Sequence, residues 1–288
     1  MTATPLTRPA HAKVNLALSV GPPHPPGHPH AGFHPICSWI SAIALADQVR
    51  ITRTHTTSIE RRWGDGTPVE WPLEKDLVFR AHRLLESHSN RPLPVRIEIE
   101  KHIPAGGGLG GGSSDAAATL LALVELFDLA IGLPALRALG CSLGSDVGFF
   151  IDHQAPPRPG IVSGVGEQVE RTERRTDPLV LICPPFGCAT PQVYRRFDSL
   201  PSPGLDQARV GRLVEQHDPV ALFNDLAFAA EAVEPRLGDL RRRVREHIGI
   251  EPHLSGSGST LFLPGDEQVA RRLQRLLPDT KVLCTRLV

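Results

Sequence analysis

Between Pro104 and Ala118 the chain reads PAGGGLGGGSSDAAA: six glycines around Leu109, then Ser113, Ser114 and Asp115, then an apolar helical pattern. Glycine admits positive φ and lets the main chain come close to a ligand. The first turn of a helix offers N–H groups without intrahelical partners and the positive end of the helix dipole. Residues of these types in this order make a cradle for an anion, and phosphate suits it best. A plain structural turn gains nothing from so many glycines, given their entropic cost. Two common phosphate motifs do not fit. Gly106, Gly108 and Gly111 satisfy GxGxxG, but a dinucleotide fold needs an acidic residue about 20 residues further on, ending a second strand. Here Glu125 falls inside a helical pattern and Asp128 just after it. A Walker A loop needs Gly-Lys-Ser/Thr, whereas Gly112 runs directly into Ser113.

The elements that must hold this loop can be read from periodicity. Val95, Ile97 and Ile99 alternate with Arg96, Glu98 and Glu100, which predicts a half-buried strand over Val95–Ile103 leading into the loop. Ala116 through Phe127 predicts a helix leading out, with Ser113 or Ser114 as its N-cap. Lys13–Val20 reads as a strand closed by Gly21-Pro22-Pro23, and Gly21–Pro35 as a proline-rich exposed or binding loop. Ile36–Ile51 returns to the sheet, with Asp47-Gln48 near a turn. Glu74–Ser87 places Leu77, Val78, Ala81, Leu84 and Leu85 on one helical face. Pro134–Leu139 suggests a short helix, Leu179–Cys183 a short strand, and Val210–Glu215 and Asp239–His247 helices. Pro252–Leu263 is a strand interrupted by Gly256-Ser257-Gly258.

A length of 288 residues predicts two domains. The proline-rich stretch Pro156–Gly160 sets their division, giving residues 1–158 and 159–288. With 41% apolar and 22% charged residues, a packed core is expected and general disorder is not. A formal net charge of zero gives no overall attraction to nucleic acid or anionic membrane, so phosphate binding must come from local geometry. Arg241, Arg242, Arg243 and Arg245 spread around a helix beside Glu and Asp and read as a solvated face. The five cysteines are odd in number and form no CxxC pair, which favours a reducing compartment. Neither a signal-peptide core nor a membrane span is visible, so a cytoplasmic protein, monomer or homodimer, is expected.

The glycine loop resembles the second motif of the GHMP kinases, the class of galactokinase and of homoserine, mevalonate and phosphomevalonate kinases. Other segments agree in order and spacing. They are Ala12-Lys13-Val14-Asn15-Leu16, Gly144-Ser145-Asp146-Val147 with Phe149-Phe150, and Gly164-Val165-Gly166-Glu167. They continue with Pro184 to Tyr194 containing Thr190, then Asn224-Asp225-Leu226, and Ser255-Gly256-Ser257-Gly258-Ser259-Thr260. The doubled glycine run resembles in particular the branch that phosphorylates 4-diphosphocytidyl-2-C-methyl-D-erythritol in the non-mevalonate isoprenoid pathway. The resemblance implies an α+β, two-domain GHMP kinase fold: an N-terminal domain like ribosomal protein S5 domain 2 and a ferredoxin-like C-terminal domain, with ATP and acceptor in the cleft between them. It implies ATP and Mg²⁺, a small-molecule acceptor, and transfer of the γ-phosphoryl group to the acceptor's 2-hydroxyl.

Phosphoryl transfer needs a held triphosphate, neutralised charge and an oriented hydroxyl. By the resemblance, Pro104, Gly106, Gly107, Gly108, Leu109, Gly110, Gly111, Gly112, Ser113 and Ser114 hold the phosphates, and Asp76 lies near the adenine. Asp146 is the general base, and Lys13 polarises the hydroxyl and steadies the transferred group. Asn15, Phe33, His34, Gly256 and Ser257 face the acceptor, with His34 on the cytosine. For Asp146 the plain alternative is a turn or N-cap aspartate; for Lys13 it is a solvated strand lysine. His24, His28, His30 and His34 read as solvated histidines of a proline-rich loop rather than as metal ligands. The chain departs from the family pattern at several points. Ala31 and Pro35 replace acidic residues around His34, Phe33 a tyrosine and Asp76 an asparagine. Gly148 replaces a proline, Ser163 a basic residue and Leu254 a methionine. The altered loop keeps two alternatives open: another GHMP acceptor, such as homoserine or mevalonate, or a nucleotide-binding regulator without catalysis.

Overall fold

The structure, a computed structural model, describes residues 4–201, 203–216 and 221–288. The elements begin with β1 (Leu6–Val20), β2 (Ile36–Arg53), β3 (Ser58–Trp63), α1 (Leu77–Ser89), β4 (Val95–Lys101), α2 (Gly111–Leu126), α3 (Leu133–Cys141) and α4 (Val147–Phe150). They continue with β5 (Gly160–Gly164), β6 (Gln168–Arg171), β7 (Pro178–Cys183), α5 (Thr190–Asp198), α6 (Gln207–Gln216) and β8 (Phe223–Asn224). The last are α7 (Ala227–Val233), α8 (Pro235–Ile248), β9 (His253–Leu254), β10 (Leu261–Pro264), α9 (Glu267–Leu276) and β11 (Lys281–Arg286). The class is α+β, as expected. The chain forms two compact units. The first is Met1–Ala12, Leu45–Ala105 and Gly110–Pro157; the second is Lys13–Ala44, Gly106–Leu109 and Arg158–Val288.

In the first unit β4 lies antiparallel to the second half of β2, with Val49 opposite Ile99, and parallel to β3, with Ile59 opposite Ile97. The alternation read from sequence is realised: Val95, Ile97 and Ile99 are buried. Helix α2 packs on α1 and α4, and α3 packs on α4. From Ser114 through Leu120 every residue of α2 is buried, the signature of a helix enclosed on all sides. Enclosing Leu120 and Leu123 contributes about 1.5–3 kcal/mol each. Helix α1 starts at Leu77 because Asp76 caps it, accepting from the Val78 amide.

The structure departs from two of the expectations above. Strand β1 begins at Leu6, not Lys13: its first four residues alternate between partly and fully exposed, so they lack the apolar run that marks the rest. Asp47 is not near a turn. It lies inside β2, wholly buried, and its partners are described below.

In the second unit the first half of β2 pairs antiparallel with β5, and β5 with β6. Strand β1 pairs parallel with β8, Ala17 opposite Phe223. A separate four-stranded sheet has the order β11-β7-β10-β9, with all its pairs antiparallel. Its first strand, β7, lies between the third, β10, and the fourth, β11, while the second, β9, is at the edge. That is the arrangement of a ferredoxin-like sheet. Val180, Ile182, Leu261 and Leu263 meet Val193, Phe197, Leu237, Val244 and Leu273 in one core. The arginine run of α8 is charge-compensated: Arg241 pairs with Glu231 and Glu251, and Arg242 with Asp239. Among the described residues no helix is long and apolar enough to cross a membrane.

His253 in β9 packs its ring 5.7 Å from that of Phe262. Burial, helped by the nearby Arg241 cation, depresses its pKa from 6.5 to about 4. The unfolded chain therefore binds this proton first, and stability is lost as pH falls from about 6.5 towards 4. Between pH 7 and pH 5 the wild type is expected to lose about 2 kcal/mol through this residue. Chemical denaturation at the two pH values checks it: His253→Gln should show a loss smaller by about that amount, and an equal loss would exclude His253 as the source.

Candidate active site

The glycine loop leaves β4 through His102, Ile103 and Pro104 and enters α2. Gly106, Gly108 and Gly110 have φ of 70°, 76° and 71°, while the glycines between them do not. That alternation is how a main chain turns its amides into an anion-binding concavity. Helix α2 begins at Gly111, with Gly110 as its N-cap in the left-handed region and no side chain capping it. Ser113 and Ser114 are therefore not N-caps, contrary to that expectation; both lie inside the first turn. A serine caps from extended backbone just before the helix, and the glycine run starts the helix three or four residues earlier than that expectation. Ser114 is buried and Ser113 half-buried, so Ser113 is the hydroxyl that remains within reach of a ligand. The amides of the first turn stay uncapped by side chains, with the helix dipole behind them.

Around this helix start, the first unit assembles two more of the residues singled out from sequence. Leu77, the residue after Asp76, has its Cδ1 3.7 Å from where a Cβ of Gly112 would stand. Ser113 Oγ stands 3.9 Å from the equivalent point on Gly144, two residues before Asp146. Asp76 uses both carboxylate oxygens: Oδ1 accepts from the Val78 amide, and Oδ2 from Arg61 Nη1 at 2.9 Å and Trp71 Nε1 at 3.0 Å. Asp146 occupies the N-cap position of α4, half-buried, but its side chain makes no capping hydrogen bond.

The second unit holds the tip of the loop. The Lys13 amide donates to Leu109 O (2.9 Å), the Thr260 amide to Gly107 O (3.1 Å), and Ser255 Oγ to Gly108 O (2.9 Å). Lys13 and Asn15 share one face of β1, and both are buried. Lys13 Nζ donates to Asn15 Oδ1 at 2.6 Å, Asn15 Nδ2 to Ser38 Oγ at 2.8 Å, and Ser38 Oγ to Ala17 O at 2.7 Å. Gly256 (φ 57°) is the residue beside this pair: a Cβ there would lie 3.3 Å from Lys13 Nζ and 3.4 Å from Asn15 Oδ1. Asn224 holds the 255–258 turn in place, its Nδ2 donating to Leu254 O and Gly256 O, both at 2.8 Å. Ser257 Oγ and Thr190 Oγ1, at the start of α5, hydrogen-bond at 2.7 Å.

The Gly21–Pro35 loop is folded back on itself, with the His24 amide donating to Phe33 O and the Gly32 amide to His24 O. His34 Nδ1 is 2.9 Å from Gly21 O and Nε2 is 3.3 Å from Asp198 Oδ1, and its ring lies 4.9 Å from that of Tyr194. Phe33 is 66% exposed, an apolar ring with no core to join. The His24 and His28 rings stack at 3.9 Å, but among the described residues no group of three or more His, Cys, Asp or Glu is arranged to hold a metal ion.

Sequence reasoning missed a buried set of charges in the first unit. Lys101 pairs with both Asp47 and Asp115. The signal was present: Lys101 continues the inward register of Val95, Ile97 and Ile99. Burial opposes its charge, but Asp115 and Asp47 more than offset this and raise its pKa.

A fold of this kind, with a glycine loop opening a buried helix and a lysine beside a glycine turn, has counterparts. The family described as GHMP kinases N terminal domain matches residues 76–153. A 4-diphosphocytidyl-2-C-methyl-D-erythritol kinase of Pseudarthrobacter chlorophenolicus is 32% identical over 280 residues, covering 91% of this chain and 85% of that protein. The kinase of the same description from Chromobacterium violaceum is 34% identical, covering 88% and 84%. The crystal structure of 4-(cytidine 5'-diphospho)-2C-methyl-D-erythritol kinase superposes with a TM-score of 0.76 at 31% identity, covering 98% of this chain and 99% of that one. Homoserine kinase from Cytophaga hutchinsonii shares the fold at 15% identity and a TM-score of 0.66. The chain belongs to the 4-diphosphocytidyl-2-C-methyl-D-erythritol kinase family.

Proposed function

We propose that this protein transfers the γ-phosphoryl group of ATP to the 2-hydroxyl of 4-diphosphocytidyl-2-C-methyl-D-erythritol. The observation that carries the reading is the buried Lys13–Asn15 pair beside Gly256, within a chain that matches that kinase family over nearly its whole length. The main-chain amides from Gly106 to Ser113 hold the phosphates. Asp146 orients the acceptor hydroxyl and takes its proton. Lys13 offers a positive charge to the group in transit. Mg²⁺, when bound, neutralises charge on the phosphate oxygens; an ion carried on a triphosphate needs only one or two protein ligands, and the half-buried Ser113 hydroxyl is the oxygen suited to it. Phe33 supplies a pyrimidine with an exposed ring to stack on, and His34, fixed by Gly21 O and Asp198, is the residue next to it. Asp76 fixes the start of α1 beside Gly112 and serves the adenine through that placement.

A second reading keeps phosphoryl transfer and changes the acceptor. It is favoured by the Gly21–Pro35 loop, where Ala31 and Pro35 stand in place of acidic residues. The purified protein with MgATP and the diphosphocytidyl acceptor is expected to release one ADP per phosphorylated acceptor. ADP release with homoserine, mevalonate or a sugar alcohol, but not with that acceptor, would establish the second reading. MgATP binding without transfer to any of them would mark a nucleotide-binding protein without catalysis.

A further inference from the structure

Three buried charges of the first unit take no part in the chemistry proposed above. Asp47 Oδ1 accepts from the amides of His102 and Ile103, and its Oδ2 accepts from Lys101 Nζ. The same Nζ donates to Oδ2 of Asp115, the fifth residue of α2. The glycine loop thus has its entry, residues 101–103, and its exit, the start of α2, tied to one ammonium. The two ends also touch directly: Ile103 Cγ2 lies 3.0 Å from the point where a Cβ of Gly111 would stand.

Stability does not account for this arrangement. Hydrophobic residues of similar volume in place of a buried ion cluster are commonly neutral or stabilising. Oδ1 of Asp115 is buried without a hydrogen-bond partner, which adds a further cost. Burial pushes the Asp115 carboxyl well above the usual carboxylate range despite the neighbouring ammonium. What the cluster does supply is a fixed distance between the two ends of a segment made almost entirely of glycine, the residue least able to fix itself.

We propose that Asp115, acting through Lys101 and Asp47, is a positioning residue that clamps both ends of the glycine loop and so sets its affinity for the phosphates of the nucleotide. This rests on the kinase reading only for the identity of the ligand. Asp115→Ala cuts the tie, leaves Lys101 paired with Asp47 as a neutral pair, and places a strong helix former in α2, so the fold should survive. On the full-length chain, titration calorimetry with MgATP is expected to show Kd raised about tenfold, the order of loss that follows small misplacements of binding groups. The melting temperature should be unchanged or higher and KM for the acceptor unchanged. Asp115→Asn keeps an oxygen for Lys101 and should bind MgATP within about threefold of the wild type, the span of one neutral hydrogen bond. Wild-type affinity in Asp115→Ala would overturn the proposal. So would a weakening that comes with a lowered melting temperature and is not rescued by Asp115→Asn. The calorimetry needs no acceptor, so a wild type that binds MgATP and phosphorylates nothing would overturn the proposed function and leave this test standing.

Discussion

Asp146→Asn is expected to lower kcat by about 10²–10⁴, the usual worth of a positioned general base, while the Kd for MgATP stays at its wild-type value. The ordinary role of an aspartate at the start of a helix is to accept from the amides of the first turn, and Asp146 does not do so. An amide at this position therefore removes no helix cap. The amide keeps an acceptor oxygen and can still orient a hydroxyl, but it cannot take up a proton at neutral pH. Steady-state turnover together with calorimetry decides the matter. Undiminished turnover would remove Asp146 as the base, and loss of MgATP binding would turn it into a residue of the nucleotide site.

Gly108→Ala is the second large effect expected. A methyl group at residue 108 would stand 2.1 Å from Ser255 O and 3.1 Å from its carbonyl carbon, at a φ of 76°. Both contacts are with main chain, so no side chain can swing aside. The left-handed conformation alone costs an alanine about 1–2 kcal/mol, and the overlap must then displace the loop tip, the 255–258 turn, or both. With a shift of about 1 Å, kcat/KM for ATP should fall at least about 10²-fold. Gly106→Ala is the control. It has nearly the same φ, 70°, but nothing lies within 4 Å of the added carbon. Its effect should stay near the backbone term, about 1–2 kcal/mol. Equal losses in the two variants would show that strain, and not the close approach to Ser255, governs the loop.

Much of this was open to reading in the sequence, for reasons that can be named. The β4 alternation holds because one face of that strand is buried and the other is not, so period two is written into side-chain polarity. The glycine loop is legible as a candidate phosphate cradle because few other demands on a backbone call for so many glycines. The helix start was misread because serine is the better N-cap by propensity, while a glycine in the left-handed region can begin a helix without any capping side chain. Asp47 was misread because a carboxylate in an apolar run signals a turn unless its partner is known. That partner, Lys101, lies 54 residues away. Short-range patterns carry no information about such pairings. Strand β3 and its turn were missed because its residues alternate only between partial and full exposure, which gives no apolar run. After Leu263 the sequence carries a helix-start signal at Asp266, which accepts from the Gln268 and Val269 amides and opens α9 as an ordinary N-cap. The roles given to Lys13 and Asp146 came from family resemblance and not from pattern, since a lone lysine in a strand and a Gly-Ser-Asp turn say little alone.

Asn15 meets the Lys13 ammonium through the carbonyl end of its amide. Ser38 has already given its proton to Ala17 O, so it can only receive one from the Asn15 amide group, and the carbonyl end of that amide must then point at the ammonium. A carboxylate in the same place would hold the lysine more firmly but would cancel its field. An uncharged dipole, by contrast, steadies the ammonium from the Asn15 side without neutralising it.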